Sequence, residues 1–163
     1  GLGDVYKRQL LGGRAAEEII FGTMTTGASN DIERATKLAR TMISQYGMSD
    51  RLGIAGFEAI ENKYLDGKTT LNCSDKTAAV IDEEVIKMLK ESYIKTKGML
   101  QNNLECLHKV SEYLLEKESI TGKEFMKIFH AVERGIEIPE NLDDLVIPEE
   151  KQNTVTLDKP EIQ

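Results

Sequence analysis

The chain has 163 residues, 40% of them hydrophobic and 30% charged, which is material for one soluble globular domain with a core. A net charge of −7 argues against a nucleic-acid surface, which needs a basic face. The two cysteines, Cys73 and Cys106, form no Cys-x-x-Cys pair and give no support for a disulfide framework or zinc knuckle; no apolar run approaches the roughly 18 residues of a membrane span, and no signal-peptide pattern is present.

In chain order, Leu10 to Phe21 reads as a helix. Leu11, Ala15, Glu18 and Ile19 lie near one face, and Ala16, Ile20 and Phe21 near another. Gly12-Gly13 inside it costs about 1 kcal/mol per Gly against Ala, and the usual gain is close approach of a neighbouring helix. Gly22 ends the helix. Thr25 to Ala28 is a turn, in which Gly27 permits backbone angles other residues resist. A second helix follows, with Ile32, Ala35, Ala39, Met42, Ile43 and Tyr46 on one apolar stripe. Ser29 or Asn30 is its natural N-cap, Asn30 with Glu33 makes a capping-box-like pair, and Gly47 suits C′. Asp31 falls in the first turn. A carboxylate there either complements the helix dipole or, fixed by caps, serves as a metal ligand or base; spacing alone favours the dipole.

Met48 to Leu71 is irregular, with a short strand expected at Leu52–Phe57. Gly67-Lys68-Thr69-Thr70 echoes the end of a phosphate-binding loop. The Gly which that motif needs at position 62 is Asn62, so a solvated loop is expected there rather than an ATP site. Ser74 caps a long helix in which Ala78, Ile81, Val85, Met88, Ser92 and Met99 recur at three- and four-residue steps; Gly98 or Asn102-Asn103 breaks it. Leu104, Leu107, Val110 and Leu114 continue the stripe on the second arm of a long helical hairpin. Thr121-Gly122-Lys123-Glu124 is a capping box opening a short helix that buries Phe125, Ile128, Phe129 and Val132, closed by Gly135. Residues 135–163, with prolines and acids, read as a mobile acidic tail. The fold class expected is all-α, with at most one short strand.

Leu11-Gly12-Gly13-Arg14-Ala15-Ala16-Glu17-Glu18-Ile19-Ile20-Phe21-Gly22, followed by Thr25-Thr26-Gly27-Ala28-Ser29-Asn30-Asp31-Ile32, resembles the peptidase region of the FtsH family (peptidase family M41), membrane-anchored, ATP-dependent zinc proteases. The likeness continues through Tyr46-Gly47-Met48-Ser49 and Leu52-Gly53, and more weakly through Ile81-Asp82-Glu83-Glu84-Val85, Leu114–Glu118 and Thr121-Gly122, covering about Leu10 to His130. Residues 10–134 are then the C-terminal part of a peptidase domain. Gly1 to Gln9 does not resemble the family and reads as a non-native leader.

The resemblance implies that Asp31 is the third protein ligand of a catalytic zinc, and it places Glu17 near the metal, where it orients a zinc-bound histidine. A protease of this type also needs two histidines one helical turn apart with a glutamate between them. The chain has only His108 and His130, in no His-Glu-x-x-His, and both read as packing or surface residues. Arg14 is placed to pair with Glu18 across one turn. The expectation is a segment that supplies one of three zinc ligands and is inactive alone, without a catalytic residue of its own. The full-length protein implied is a homo-hexameric, ATP-fuelled protease at the cytoplasmic face of a membrane, degrading unfolded or membrane proteins, with its ATPase module and anchor outside this chain. The rival reading is a non-enzymatic helical module for assembly or partner binding.

Overall fold

Three helices make the first of two units, which spans Gly1–Asn103: α1 (Leu2–Phe21), α2 (Ser29–Ser44) and α3 (Asp75–Asn102), each packed on the other two in the computed structural model of the chain, which describes residues 1–60 and 69–148. The apolar stripes explain the packing. Ala39 and Ile43 of α2 meet Ile81 and Val85 of α3 in one core cluster, with Leu52, Phe57, Cys73, Met88 and Leu89 against it. Leu10 and Leu11 of α1 meet Ala35 of α2 in a second, flanked by Leu89 and Tyr93 of α3. Small residues at Ala15, Ala35 and Ala39, all fully buried, let the helix axes approach. α3 has 28 residues, so at about 1.5 Å per residue it runs ~42 Å and serves as the rail on which α1 and α2 lie.

The helix expected from Leu10 begins at Leu2. Between Asp4 and Leu11 no Gly or Pro interrupts it, and Lys7 is 1% exposed with its Nζ 3.0 Å from Asp4 Oδ1. That ammonium holds the Asp4 carboxyl below the usual carboxylate range. Gly22 ends α1 as expected, at φ 64 with its N–H on the Glu18 carbonyl. Ser74 caps α3, its Oγ accepting from Thr77 N at 3.3 Å, while Gly98 stays inside the helix and Asn103 ends it.

The expected strand at Leu52–Phe57 does not form. The Gly53 N–H donates back to the Ser49 carbonyl at 2.9 Å, and Gly53 sits at φ 69, so this stretch turns. The strands lie just beyond it: β1 (Glu58–Ile60) pairs antiparallel with β2 (Thr69–Leu71), Glu58 opposite Leu71. Gly67 and Lys68 of the loop that echoes a phosphate-binding motif lie outside the described residues, while Thr69 and Thr70 belong to β2. With these strands a short two-stranded ribbon on a helical body, the class is all-α.

The second unit starts at Leu104. It pairs α4 (Leu104–Lys117) with α5 (Gly122–Glu133), and the expected capping box is present in full at Thr121 and Glu124. Its core holds Ile128 and Ala131 with Leu142 and Leu145. The acidic tail expected from residue 135 therefore does not begin there. Ile136, Ile138 and Ile147 pack with Leu142 and Leu145 around a single 3-10 turn at Leu142–Asp144, and Lys127 Nζ donates to the Leu142 carbonyl at 3.0 Å. These apolar residues pack on the Ile128 and Ala131 face of α5, while Phe125, expected to be buried, stays 39% exposed. Residues 149–163 of that expected tail lie outside the described residues.

Candidate functional site

The turn between α1 and α2 is built from side chains that sequence reading singled out, in roles partly different from those expected. Arg14 Nη1 donates to the Thr25 carbonyl at 3.2 Å. Thr25 Oγ1 donates to Glu17 Oε1 at 2.7 Å and accepts from the Gly27 N–H at 3.2 Å. A Cβ on Gly27 would lie 3.3 Å from Glu17 Oε1. A side chain at Gly27 would press on that carboxylate, which would have to shift by a few tenths of an ångström, and the φ of Gly27 is not in the left-handed region.

The turn enters α2 without the expected cap. Ala28 is the N-cap residue, no side chain caps the helix, and the Ser29 N–H is taken by the Thr26 carbonyl at 3.1 Å. Ala28 is 5% exposed, and its burial fixes the entry in place of a Ser or Asn cap. Neither Ser29 nor Asn30 is free to act as N-cap, because both already lie inside the helix.

Asp31 therefore stands in the first turn of α2, its side chain 44% exposed. Arg34 Nη1 is 3.7 Å away, too far for a hydrogen bond, and an exposed pair of this kind is worth at most about 1 kcal/mol. Arg34 is itself engaged by Tyr6, whose hydroxyl accepts from Nη2 and whose ring centroid lies 5.8 Å below the guanidinium. The Asp31 carboxylate is thus anchored by its backbone, favoured by the helix dipole, and left with coordination capacity.

Glu17 and Glu18 have separate fates. Glu18 does not pair with Arg14 as expected. Lys97 Nζ donates to Glu18 Oε1 at 2.7 Å, and the Tyr93 hydroxyl donates to Oε2, so this carboxylate ties α1 to α3. The two donors hold the Glu18 carboxyl below its usual range, and burial together with the Glu18 contact pushes the Tyr93 phenol up to about 12. Glu17 has one satisfied oxygen, on Thr25; its Oε2 is buried without a hydrogen-bond partner. Such an atom costs about 1–3 kcal/mol unless something outside the described residues meets it. Gly12 and Gly13, on the same helix, have open space where a Cβ would stand.

Among the described residues no group of three His, Cys, Asp or Glu side chains is close enough to hold a metal. Asp31 and Glu17 are the acids the turn offers, fewer than the donors zinc takes. The histidines lie in the second unit. His108 is exposed on α4, and His130 on α5 sits 3.3 Å from Glu133 and edge-on to Phe129. Tyr93 and Lys97 carried no signal in the sequence, since each meets Glu18 across more than seventy residues of chain.

The family model described as peptidase family M41 matches residues 7–128. The chain is 52% identical over 121 residues to the ATP-dependent zinc metalloprotease FtsH of Clostridium perfringens, covering 74% of this chain and 17% of that protein. It is 47% identical over 135 residues to the one from Lancefieldella parvula, covering 83% of this chain and 21% of the relative. Against the Thermus thermophilus protein it is 42% identical over 130 residues, 80% of this chain and 20% of the relative. The chain spans about a fifth of the length of the curated relatives it matches.

Proposed function

The chain belongs to peptidase family M41, and from that premise we propose that it is part of the proteolytic domain of a zinc metalloendopeptidase, with residues 10–134 as the peptidase portion, Asp31 as the third protein ligand of the metal and Glu17 as the acid that orients a metal-bound histidine. The observation that carries this is the orphaned Oε2 of Glu17, behind the turn that leads to Asp31 four residues past Gly27. A buried carboxylate oxygen without a donor suits an imidazole N–H arriving from a segment outside this chain. Asp31, exposed and loosely paired, suits a metal completed from the same segment. When bound, zinc supplies Lewis acidity to the peptide carbonyl and to water. The chain's own described residues anchor, orient and hydrogen-bond, and on this reading the general base for hydrolysis comes from the same outside segment as the histidine.

The full-length protein, on this reading, is ATP-dependent, hexameric and membrane-anchored at the cytoplasmic face, and degrades unfolded or membrane proteins. The relatives' shared name, ATP-dependent zinc metalloprotease, supports the first of these. No helix of the described residues is long and apolar enough to cross a membrane. The chain by itself is expected to bind zinc weakly and to leave casein intact; tight one-to-one binding in calorimetry would overturn that part.

The decisive experiment is a chimera in which residues 7–128 replace the matching segment of the Clostridium perfringens relative. Its zinc content by mass spectrometry and its cleavage of casein are compared with those of the same chimera carrying Asp31→Asn. One zinc per chain in the parent and a loss of most of it in the variant is the expected result. Unchanged zinc in a folded Asp31→Asn variant removes the ligand role and leaves the helical-module reading.

A further inference from the structure

A cavity of about 270 Å³ opens among α1, the start of α2 and the middle of α3. Leu11, Met24, Ile32 and Leu89 wall it, with Tyr93. The Tyr93 hydroxyl is already held by Glu18, so the tyrosine offers the cavity its ring and no free donor. An apolar cavity of about 150 Å³ holds a benzene-sized molecule. This one therefore has room for a leucine or phenylalanine side chain and the atoms next to it.

The remaining lining residues are Arg14 and Lys90, and no acid lines the cavity. Arg14 commits one donor to the Thr25 carbonyl, and a guanidinium has five. Glu18, the acid near it, makes its hydrogen bonds to Lys97 and Tyr93 and none to Arg14 among those described. Lys90 is exposed and has no polar partner among the described residues. An uncharged ligand settling here would strip water from two cations and return nothing. A ligand that is apolar with a carboxylate attached would satisfy wall and rim together, through charge-assisted hydrogen bonds.

We propose that this cavity binds the C-terminal residue of a peptide when that residue is apolar, with the side chain against Leu11, Met24, Ile32 and Leu89 and the α-carboxylate between Arg14 and Lys90. It sits next to Asp31 through Ile32, and it gives the chain a way to hold cleaved ends or unstructured termini of polypeptides. The choice of a peptide rests on the peptidase reading. Binding itself requires neither metal nor turnover, so it stands or falls separately from that reading.

Fluorescence anisotropy of the full chain with fluorescein-tagged triglycyl-leucine tests this. Three further probes are its C-terminal amide, the same peptide ending in serine, and laurate as competitor. The free acid is expected to bind at least about ten-fold tighter than the amide and than the serine peptide, which is the order of one charge-assisted hydrogen bond. Lys90→Glu should cancel the difference between acid and amide. Met24→Glu should weaken both leucine probes. Both positions are exposed, so the fold tolerates them, and circular dichroism checks it. Equal binding of acid and amide overturns the proposal. So does binding unmoved by the two variants, laurate outcompeting the peptide at lower concentration than the peptide itself needs, or no binding at millimolar peptide.

Discussion

Alanine at Gly12 or Gly13 should act with opposite signs in two settings. Both glycines lie in the interior of α1, and a Cβ on either meets no heavy atom within 4 Å. In such a position Ala is favoured over Gly by about 1 kcal/mol, in part because the unfolded chain has less freedom to lose. The chain alone should therefore gain about 1 kcal/mol from each change. For a unit of roughly 100 residues that raises Tm by about 4–8 °C, read by differential scanning calorimetry. In the chimera the expectation reverses. If a histidine-bearing helix packs on this face, each new methyl group displaces it, and zinc content and casein cleavage fall although the isolated chain became more stable. A lower Tm for both variants of the chain alone would show that the face is already covered. Full activity of both variants in the chimera would show that nothing packs there, and the reason given for two glycines in a helix would be wrong.

Glu18→Gln should lower the Tyr93 titration without normalising it. Burial is the larger cause of the rise to about 12, and the Glu18 hydrogen bond and charge come after it. The raised value means that the fold favours the neutral phenol: that contribution is complete below pH 10 and lost as pH climbs towards 12. In the Gln variant the midpoint should fall between 10 and 12, read as phenolate absorbance after subtracting a Tyr93→Phe titration; a midpoint still at 12 refutes the role of Glu18. For Glu18 the sign is opposite. Its lowered value gives stability that is present above its ordinary 4.5 and lost as pH falls further. Gly47→Ala should cost more than Gly22→Ala in urea unfolding. Both sit at positive φ, worth about 1–2 kcal/mol for a non-Gly residue, but a Cβ at Gly47 would also come within 3.0 Å of the Ile54 backbone, whereas Gly22 has open space. Equal costs would refute the clash. Thr121→Ala removes one side of the capping box and should cost about 1 kcal/mol, seen as faster hydrogen exchange of the α5 amides; unchanged exchange would mean the cap carries nothing.

Helix ends were the most legible part of the sequence, because each is a local event. Gly22, Ser74, the Thr121–Glu124 box and Gly135 act within four residues of themselves, and all four do what their chemistry suggests. The failures share a different cause. At Ser29 and Asn30 two good caps are passed over because the burial of Ala28 and the Glu17–Thr25 bond pull the chain into the helix one residue early. Lys7 is nearly inaccessible, which no periodicity rule expects of a lysine, because Asp4 one turn earlier neutralises it. Ile136 to Ile147 reads as tail by composition, yet its isoleucines and leucines find α5, a contact that no window along the chain can see.

The candidate site shows the same division between local and distant causes. Glu17 and Glu18 are adjacent, of one type, and equivalent to any local rule. One residue of an α-helix is about 100° of rotation, so Glu18 reaches α3 while Glu17 reaches the turn that opens α2. Glu18 has one donor on each of its oxygens, Tyr93 on Oε2 and Lys97 on Oε1. Glu17 has a buried oxygen that meets nothing among the described residues. Folded chains keep few such atoms, since each works against stability. One persists when the fold around it is determined by something else, and here that is the Arg14–Thr25–Gly27 arrangement, which holds Glu17 whether or not its second oxygen is met. A rigid, half-satisfied acid beside a helix whose first turn carries an exposed Asp31 is preorganised for a third party. On the function proposed above, that third party is a metal-bound histidine for Glu17 and the metal itself for Asp31.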